Sequence, residues 1–164
     1  MNIGIGYILR TSPEKGEGIF ATTSFEKDQI VVIGIIKNTL NENHSHASQI
    51  GEHEYVLHGG LTTKVNHSCN PNCGIKVNET GAHDFVAMKH ITPDEEITFD
   101  YAMRNYGVDF FPKECMCGAK ECRHTITGWK DLPSRNKKAY EGFVAPYLLA
   151  LDAKITSNIK EVAL

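Results

Sequence analysis

The chain has 164 residues, of which 41% are hydrophobic and 23% charged, and its formal net charge is −3. That length suits one domain able to bury roughly two-thirds of its unfolded surface, and the composition excludes disordered and collagen-like classes. No long Lys/Arg run and no apolar run of about 18 residues occur, which excludes a basic nucleic-acid grip and a membrane-spanning helix.

Taken in chain order, residues 5–10 and 30–36 read as strands, rich in branched apolar side chains. Between them Pro13, Gly16 and Gly18 supply turn chemistry before a short strand at Ile19–Ala21. Residues 38–53 are polar and turn-rich and read as a loop. Short strands follow in "EYVLHGG" and "LTTKV", then in "HDFVAMKHI" and, past the turn "TPDEE", in "ITFDY". So many short strands predict a mostly β fold of small sheets. From Arg135 the spacing of Tyr140, Phe143, Val144, Tyr147, Leu148 and Leu151 is helical, with Ser134 as its N-cap. Pro146 predicts a kink there or a break into two helices.

The start "MNIGIGYILR" has no basic region and no cleavage site, so no signal peptide is read. The expectation is a soluble intracellular protein, cytoplasmic, or nuclear and chromatin-associated in a eukaryote or a host. Thiols stay reduced in such compartments. All five cysteines fall in two clusters, "NHSCNPNC" (Asn66–Cys73) and "CMCGAKEC" (Cys115–Cys122). Cys115, Cys117 and Cys122 are three thiols within eight residues. A structural zinc site takes four ligands, sulfur favoured, and leaves no open position for water. The spacing leaves the fourth place open among Cys69, Cys73 and His124.

"NHSCNPNC", "EEITFDY", "CMCGAKEC" and the upstream "KGEGIFA" (Lys15–Ala21) stand in an order that resembles the SET-domain family of protein-lysine methyltransferases. These blocks span residues 15–122, and the last resembles the family's post-SET zinc motif. The fold the resemblance implies is a β-clip-like set of small, mostly antiparallel sheets around a pseudoknot, with a C-terminal helix. "NHSC" and "FDY" would lie side by side in it. The implied layout is a SET domain over 1–112, a zinc-binding segment over 113–128 and a helical extension over 129–164.

The implied reaction is methyl transfer from S-adenosylmethionine to lysine ε-amines of a histone or other basic protein, a partner that suits the mildly acidic chain. The resemblance assigns structural zinc to Cys73, Cys115, Cys117 and Cys122, with Cys69 packed inside. It makes Tyr101 the catalytic tyrosine, with Tyr55 a second tyrosine of the lysine channel. Phe99 stands at a product-specificity position, where phenylalanine implies di- or trimethylation. Lys15, Gly16, Glu17, Gly18, Asn66, His67, Tyr101 and Trp129 are the implied cofactor contacts. The sequence departs from the family at Asp94, where a glycine is usual, and at Thr63-Lys64-Val65 before Asn66. Two rival readings are an inactive zinc-stabilised interaction module and a thiol hydrolase using Cys69 with His67.

Overall fold

The computed structural model describes residues 3–4, 6–13, 15–109 and 113–162. Four small sheets form its body. The first is an antiparallel meander of β1 (Ile3–Gly4), β2 (Tyr7–Ser12) and β3 (Gly16–Ala21). The second places β10 (His83–Ala87) between β4 (Ile30–Val32) and β9 (Cys73–Val77). The third sets β7 (Glu54–His58) between β5 (Ile36–Leu40) and β6 (Ser48–Gly51). The fourth is a two-residue parallel pair of β8 (Asn66–His67) and β11 (Thr98–Phe99), with Thr98 opposite Asn66 and Phe99 opposite His67. Among the described residues no helix is long and apolar enough to cross a membrane.

Several sequence expectations move. The strand expected over 30–36 ends at Val32, and the chain resumes as β5 only at Ile36. Gly34 lies between them against the backbone of β10, where a Cβ would meet the His83 carbonyl oxygen at 2.2 Å. No side chain fits there, and the Gly34 N–H donates to the Asp84 carboxylate at 2.8 Å. The expected loop over 38–53 contains most of β5 and all of β6, which β7 recruits by pairing on both its edges. Polar composition concealed them, because β5 buries little of its surface. Within "LTTKV" the chain forms a 3-10 turn, Thr62–Lys64, in place of a strand. Strand β9 was not foreseen. The reading of 5–10 as a strand survives in β2, though Ile5 lies outside the described residues.

β10 is buried along its whole length, so its sequence carries no polar–apolar alternation. Ile19, Ile75, Phe85, Ile91, Ile97, Phe99 and Met103 are fully or almost fully buried in the central core. Each such side chain contributes about 1.5–3 kcal/mol of apolar burial. At the C-terminus the chain breaks into α1 (Ser134–Ala139) and α2 (Pro146–Val162). Pro146 opens α2, where a missing N–H costs nothing. Pro133, rather than Ser134, holds the N-cap position of α1. Tyr140, Val144, Leu148 and Leu151 are buried and Phe143 and Tyr147 half-buried, but Tyr140, Phe143 and Val144 lie in the break between the helices, so the expected helical spacing holds only for the residues on α2.

Candidate active site and cysteine cluster

The parallel pair β8–β11 is too short to hold itself, and side chains tie it to the rest. Asn72 does most of this. Its amide nitrogen donates to the Glu96 carbonyl (2.9 Å), its amide oxygen accepts from Thr98 N–H (2.9 Å), and its carbonyl accepts from Met88 N–H (2.8 Å). The Ser68 N–H donates to the Phe99 carbonyl at 3.0 Å. Residues that follow β8 and precede β11 are thereby locked side by side.

On the outer side of the pair, Asn66 gathers the glycine segment. Its amide donates to the Glu17 carbonyl (3.0 Å) and to Glu96 Oε1 (2.8 Å). Lys15 Nζ reaches Glu96 Oε2 at 2.9 Å, and Lys64 Nζ pairs with Glu17 Oε2 at 2.5 Å. Gly18 sits where this convergence leaves no room, since a Cβ would approach Glu96 Oε1 at 2.7 Å and Asn66 Nδ2 at 2.8 Å. Gly16 has a φ of +72° and open space around its Cβ position. The result is an exposed stretch of backbone at Gly16 and Glu17 beside Asn66. Such a bare edge fits a ligand bound by backbone and amide hydrogen bonds.

His67 joins two chemistries. Its Nδ1 accepts from the Tyr101 N–H at 3.2 Å, and its ring meets the Tyr101 ring edge-on with centroids 5.2 Å apart. The proton is assigned by that bond to Nε2, which lies 3.5 Å from Cys69 Sγ. Burial, outweighing Asp100, holds the imidazole down to about 4, so it is neutral near pH 7. Tyr101 opens a 3-10 turn, Tyr101–Met103, capped by the Asp100 carboxylate through Ala102 N–H (3.1 Å). Burial raises its phenol above the ordinary value, which keeps the hydroxyl protonated. Phe99 is fully buried, with ring centroids 4.9 Å from Phe85 and 5.1 Å from Tyr101. Tyr55 lies on β7, opposite Leu40 and Gln49, and its electrostatic neighbour is the Tyr147 phenol of α2.

The cysteine assignment needs a correction. Cys69, Cys115, Cys117 and Cys122 place their sulfurs within 4.8 Å of one another, and Cys73 is not among them. Cys73 begins β9 opposite Ala87 and is 0% exposed in the apolar core, where burial pushes its thiol far up. Cys69 lies on the loop between β8 and β9, with its sulfur 3.7 Å from that of Cys115. A tetrahedron of sulfurs about 2.3 Å from a zinc has edges of about 3.8 Å, so the donor set fits. Backbone N–H groups point at these sulfurs, from Cys69 to Cys117 (3.5 Å), from Arg123 to Cys69 (3.4 Å) and from His124 to Cys122 (3.3 Å). They stabilise thiolates. His124 contributes its backbone, not its ring. With Cys69 inside the sulfur cluster, the hydrolase reading loses its nucleophile.

Trp129 also departs from expectation. It is 2% exposed, and its indole N–H donates to Asp152 of α2 at 2.8 Å while Lys137 lies 4.7 Å above the ring. It fastens the C-terminal helices to the body.

Asp100 was missed by sequence reasoning. It is 0% exposed, yet it accepts from the Tyr140 hydroxyl (2.9 Å) and pairs with Arg123 Nη2 (2.8 Å). One carboxylate thus ties the end of β11 to the segment carrying the cysteines and to the end of α1. The acid within "FDY" was the available signal, since a buried charge must be paired.

The sequence pattern described as "SET domain" matches residues 16–102. A histone-lysine N-methyltransferase described as H3 lysine-36 specific, from Mycosarcoma maydis, is 40% identical over 73 residues, which is 43% of this chain and 7% of that protein. Histone-lysine N-methyltransferase SETD1B of Homo sapiens is 27% identical over 129 residues, 66% of this chain and 6% of its own length. The chain therefore spans a small part of these curated relatives. Among solved structures, the methyltransferase domain of human histone-lysine N-methyltransferase SETMAR aligns with a TM-score of 0.57 at 20% identity, covering 74% of this chain and 58% of that one, a likeness of fold. With the family pattern matched over more than half its length and the motif residues brought together around the β8–β11 pair, this chain belongs to the SET domain family.

Proposed function

We propose that the protein methylates lysine ε-amines in a basic protein substrate such as a histone, with S-adenosylmethionine as methyl donor. The observation that carries this reading is the β8–β11 pair, which sets Asn66 and His67 beside Tyr101 and next to the bare glycine edge of β3. S-adenosylmethionine, when bound, supplies a methyl group on a sulfonium carbon already activated for in-line displacement. The chain then has to hold, orient and dry the reactants. Gly16, Glu17, Asn66 and His67 are the residues that would hold it.

The attacking amine must be neutral, whereas free lysine has a pKa of about 10.4. Tyr101, kept protonated by burial, offers a hydroxyl that accepts an N–H from the amine and aims its lone pair. Phe99 brings no hydroxyl to the adjoining space, which favours turning of a partly methylated amine and so a di- or trimethyl product. Zinc held by Cys69, Cys115, Cys117 and Cys122 is structural, because four sulfurs fill the tetrahedron.

The test is transfer of isotopic label from S-adenosylmethionine to purified histones and to a cell lysate, with Tyr101→Phe alongside. Label on lysine that disappears in the variant is the expected result. Neither label nor cofactor binding in a zinc-loaded folded sample would instead favour a non-enzymatic interaction module. A strictly monomethyl product by mass spectrometry would overturn the reading of Phe99.

A further inference from the structure

Arg104 follows the catalytic turn, and its guanidinium is nearly buried, with the residue 8% exposed. Its Cζ stands 4.9 Å over the Phe99 ring, and that ring is 5.1 Å from Tyr101. Among the described residues no carboxylate pairs with it, and its Nε has no hydrogen-bond partner. The groups that face it are the phenols of Tyr101 and Tyr147 and the imidazoles of His58 and His83. Each of these is neutral near pH 7. Tyr147 donates its hydroxyl to the Arg104 carbonyl at 2.5 Å, which fixes the backbone. His58 is itself engaged, with its Nδ1 2.7 Å from Ser48 Oγ and its Nε2 accepting from the His83 N–H at 3.0 Å. The Glu96 carboxylate, which also acts on the Tyr101 phenol, is answered by Lys15 at 2.9 Å.

A buried charge without a counter-charge costs several kcal/mol, and a chain gains nothing in stability by keeping it. We propose that Arg104 is an electrostatic positioning residue of the transfer site. It is a fixed positive charge behind Phe99 and Tyr101 that drives an incoming lysine to shed its proton before the methyl group moves. This rests on the lysine-methylation reading above. The balance is simple: the ammonium gives its proton to water, and the neutral amine then forms the new C–N bond as the C–S bond breaks toward sulfur. A like charge nearby disfavours the ammonium form, and each unit of depression gives about tenfold more neutral amine near pH 7. The same cation acts to lower the Tyr101 phenol against its burial.

The field can be read without acceptor or turnover. 3-Fluorotyrosine placed at position 101 is titrated by fluorine NMR in the unaltered chain, in Arg104→Gln and in Arg104→Met. Arg104→Met keeps the stem over Phe99 and serves if the glutamine variant does not fold. The expected result is a rise of the phenol pKa by about one unit on loss of the charge, with Arg104→Lys closer to the unaltered chain. An unchanged titration in either neutral variant overturns the inference. With histone H3 as acceptor, the neutral variants should lose about tenfold in kcat/KM at pH 7 and converge with the unaltered chain above about pH 10. A loss equal at every pH marks a merely structural role and also overturns it. Because the titration needs no methyl transfer, its failure is separate from a failure of the proposed reaction.

Discussion

Asp100 and Arg104 are four residues apart, both buried, and treated in opposite ways. Asp100 is answered by Arg123, by the Tyr140 hydroxyl and by the Ala102 N–H. Arg104 is surrounded by an aromatic ring, two phenols and two neutral imidazoles. The first arrangement is one a fold can use for cohesion, since breaking a buried pair leaves a stranded charge. The second is costly unless the field itself has a use. The difference separates a charge that joins parts of the molecule from one aimed at the place where chemistry would occur.

The largest expected effect bears on the Asp100 side, because Arg123 follows Cys122 directly. Stripping zinc with a chelator should unfold the segment around Cys115–Cys122 and release Arg123. Structural zinc contributes on the order of 10–16 kcal/mol of apparent binding free energy in small zinc domains. Circular dichroism and a fall in melting temperature would record the loss. Cys69→Ser should lower bound zinc in the same way, while Cys73→Ser should keep one zinc per chain by mass spectrometry and only lower stability. Zinc loss in Cys73→Ser with retention in Cys69→Ser would reverse the ligand assignment.

Next, Asp100→Ala should cost about 3–5 kcal/mol in urea unfolding, whereas Arg104→Met should cost little or stabilise the chain. Equal losses would erase the contrast between the two charges. Acid sharpens it further. Burial, assisted by the Arg104 cation, holds His58 down to about 4 from 6.5. The unfolded chain binds that proton first, so stability is complete above about pH 6.5 and declines as pH falls toward 4, by about 3 kcal/mol from this residue. Arg104→Gln should raise the His58 titration and shrink this decline, as followed by imidazole NMR. An unmoved His58 would show that burial alone sets it. Tyr140→Phe removes one hydrogen bond to the Asp100 carboxylate and should cost less than Asp100→Ala, about 1.5–3 kcal/mol at neutral pH by urea unfolding.

What the sequence carried was of two kinds. Periodicity marked Leu148 and Leu151 on the buried face of α2, and the many short β-rich runs marked the fold class. Residue type and spacing marked the thiol triad Cys115, Cys117 and Cys122 as a candidate metal site, and the structure gathers those three sulfurs with that of Cys69. Motif resemblance added Asn66, His67, Tyr101 and the glycine edge, and the structure brings these together around β8 and β11.

Tertiary structure alone decided the remainder. β8 and β11 have two residues each, too few for any periodicity, and their pairing depends on the side chain of Asn72. Cys69 and Cys73 are equivalent in spacing arguments. Only the pairing of β9 with β10 turns Cys73 into the core and leaves Cys69 on the loop facing the triad. Trp129 became a fastener because α2 delivers Asp152 to its indole nitrogen. Local sequence specifies backbone preference and donor type, but the partner of a buried charge, thiol or indole arrives from a distant segment. Arg123 comes to Asp100, and Asp152 to Trp129, through packing that one-dimensional spacing does not encode.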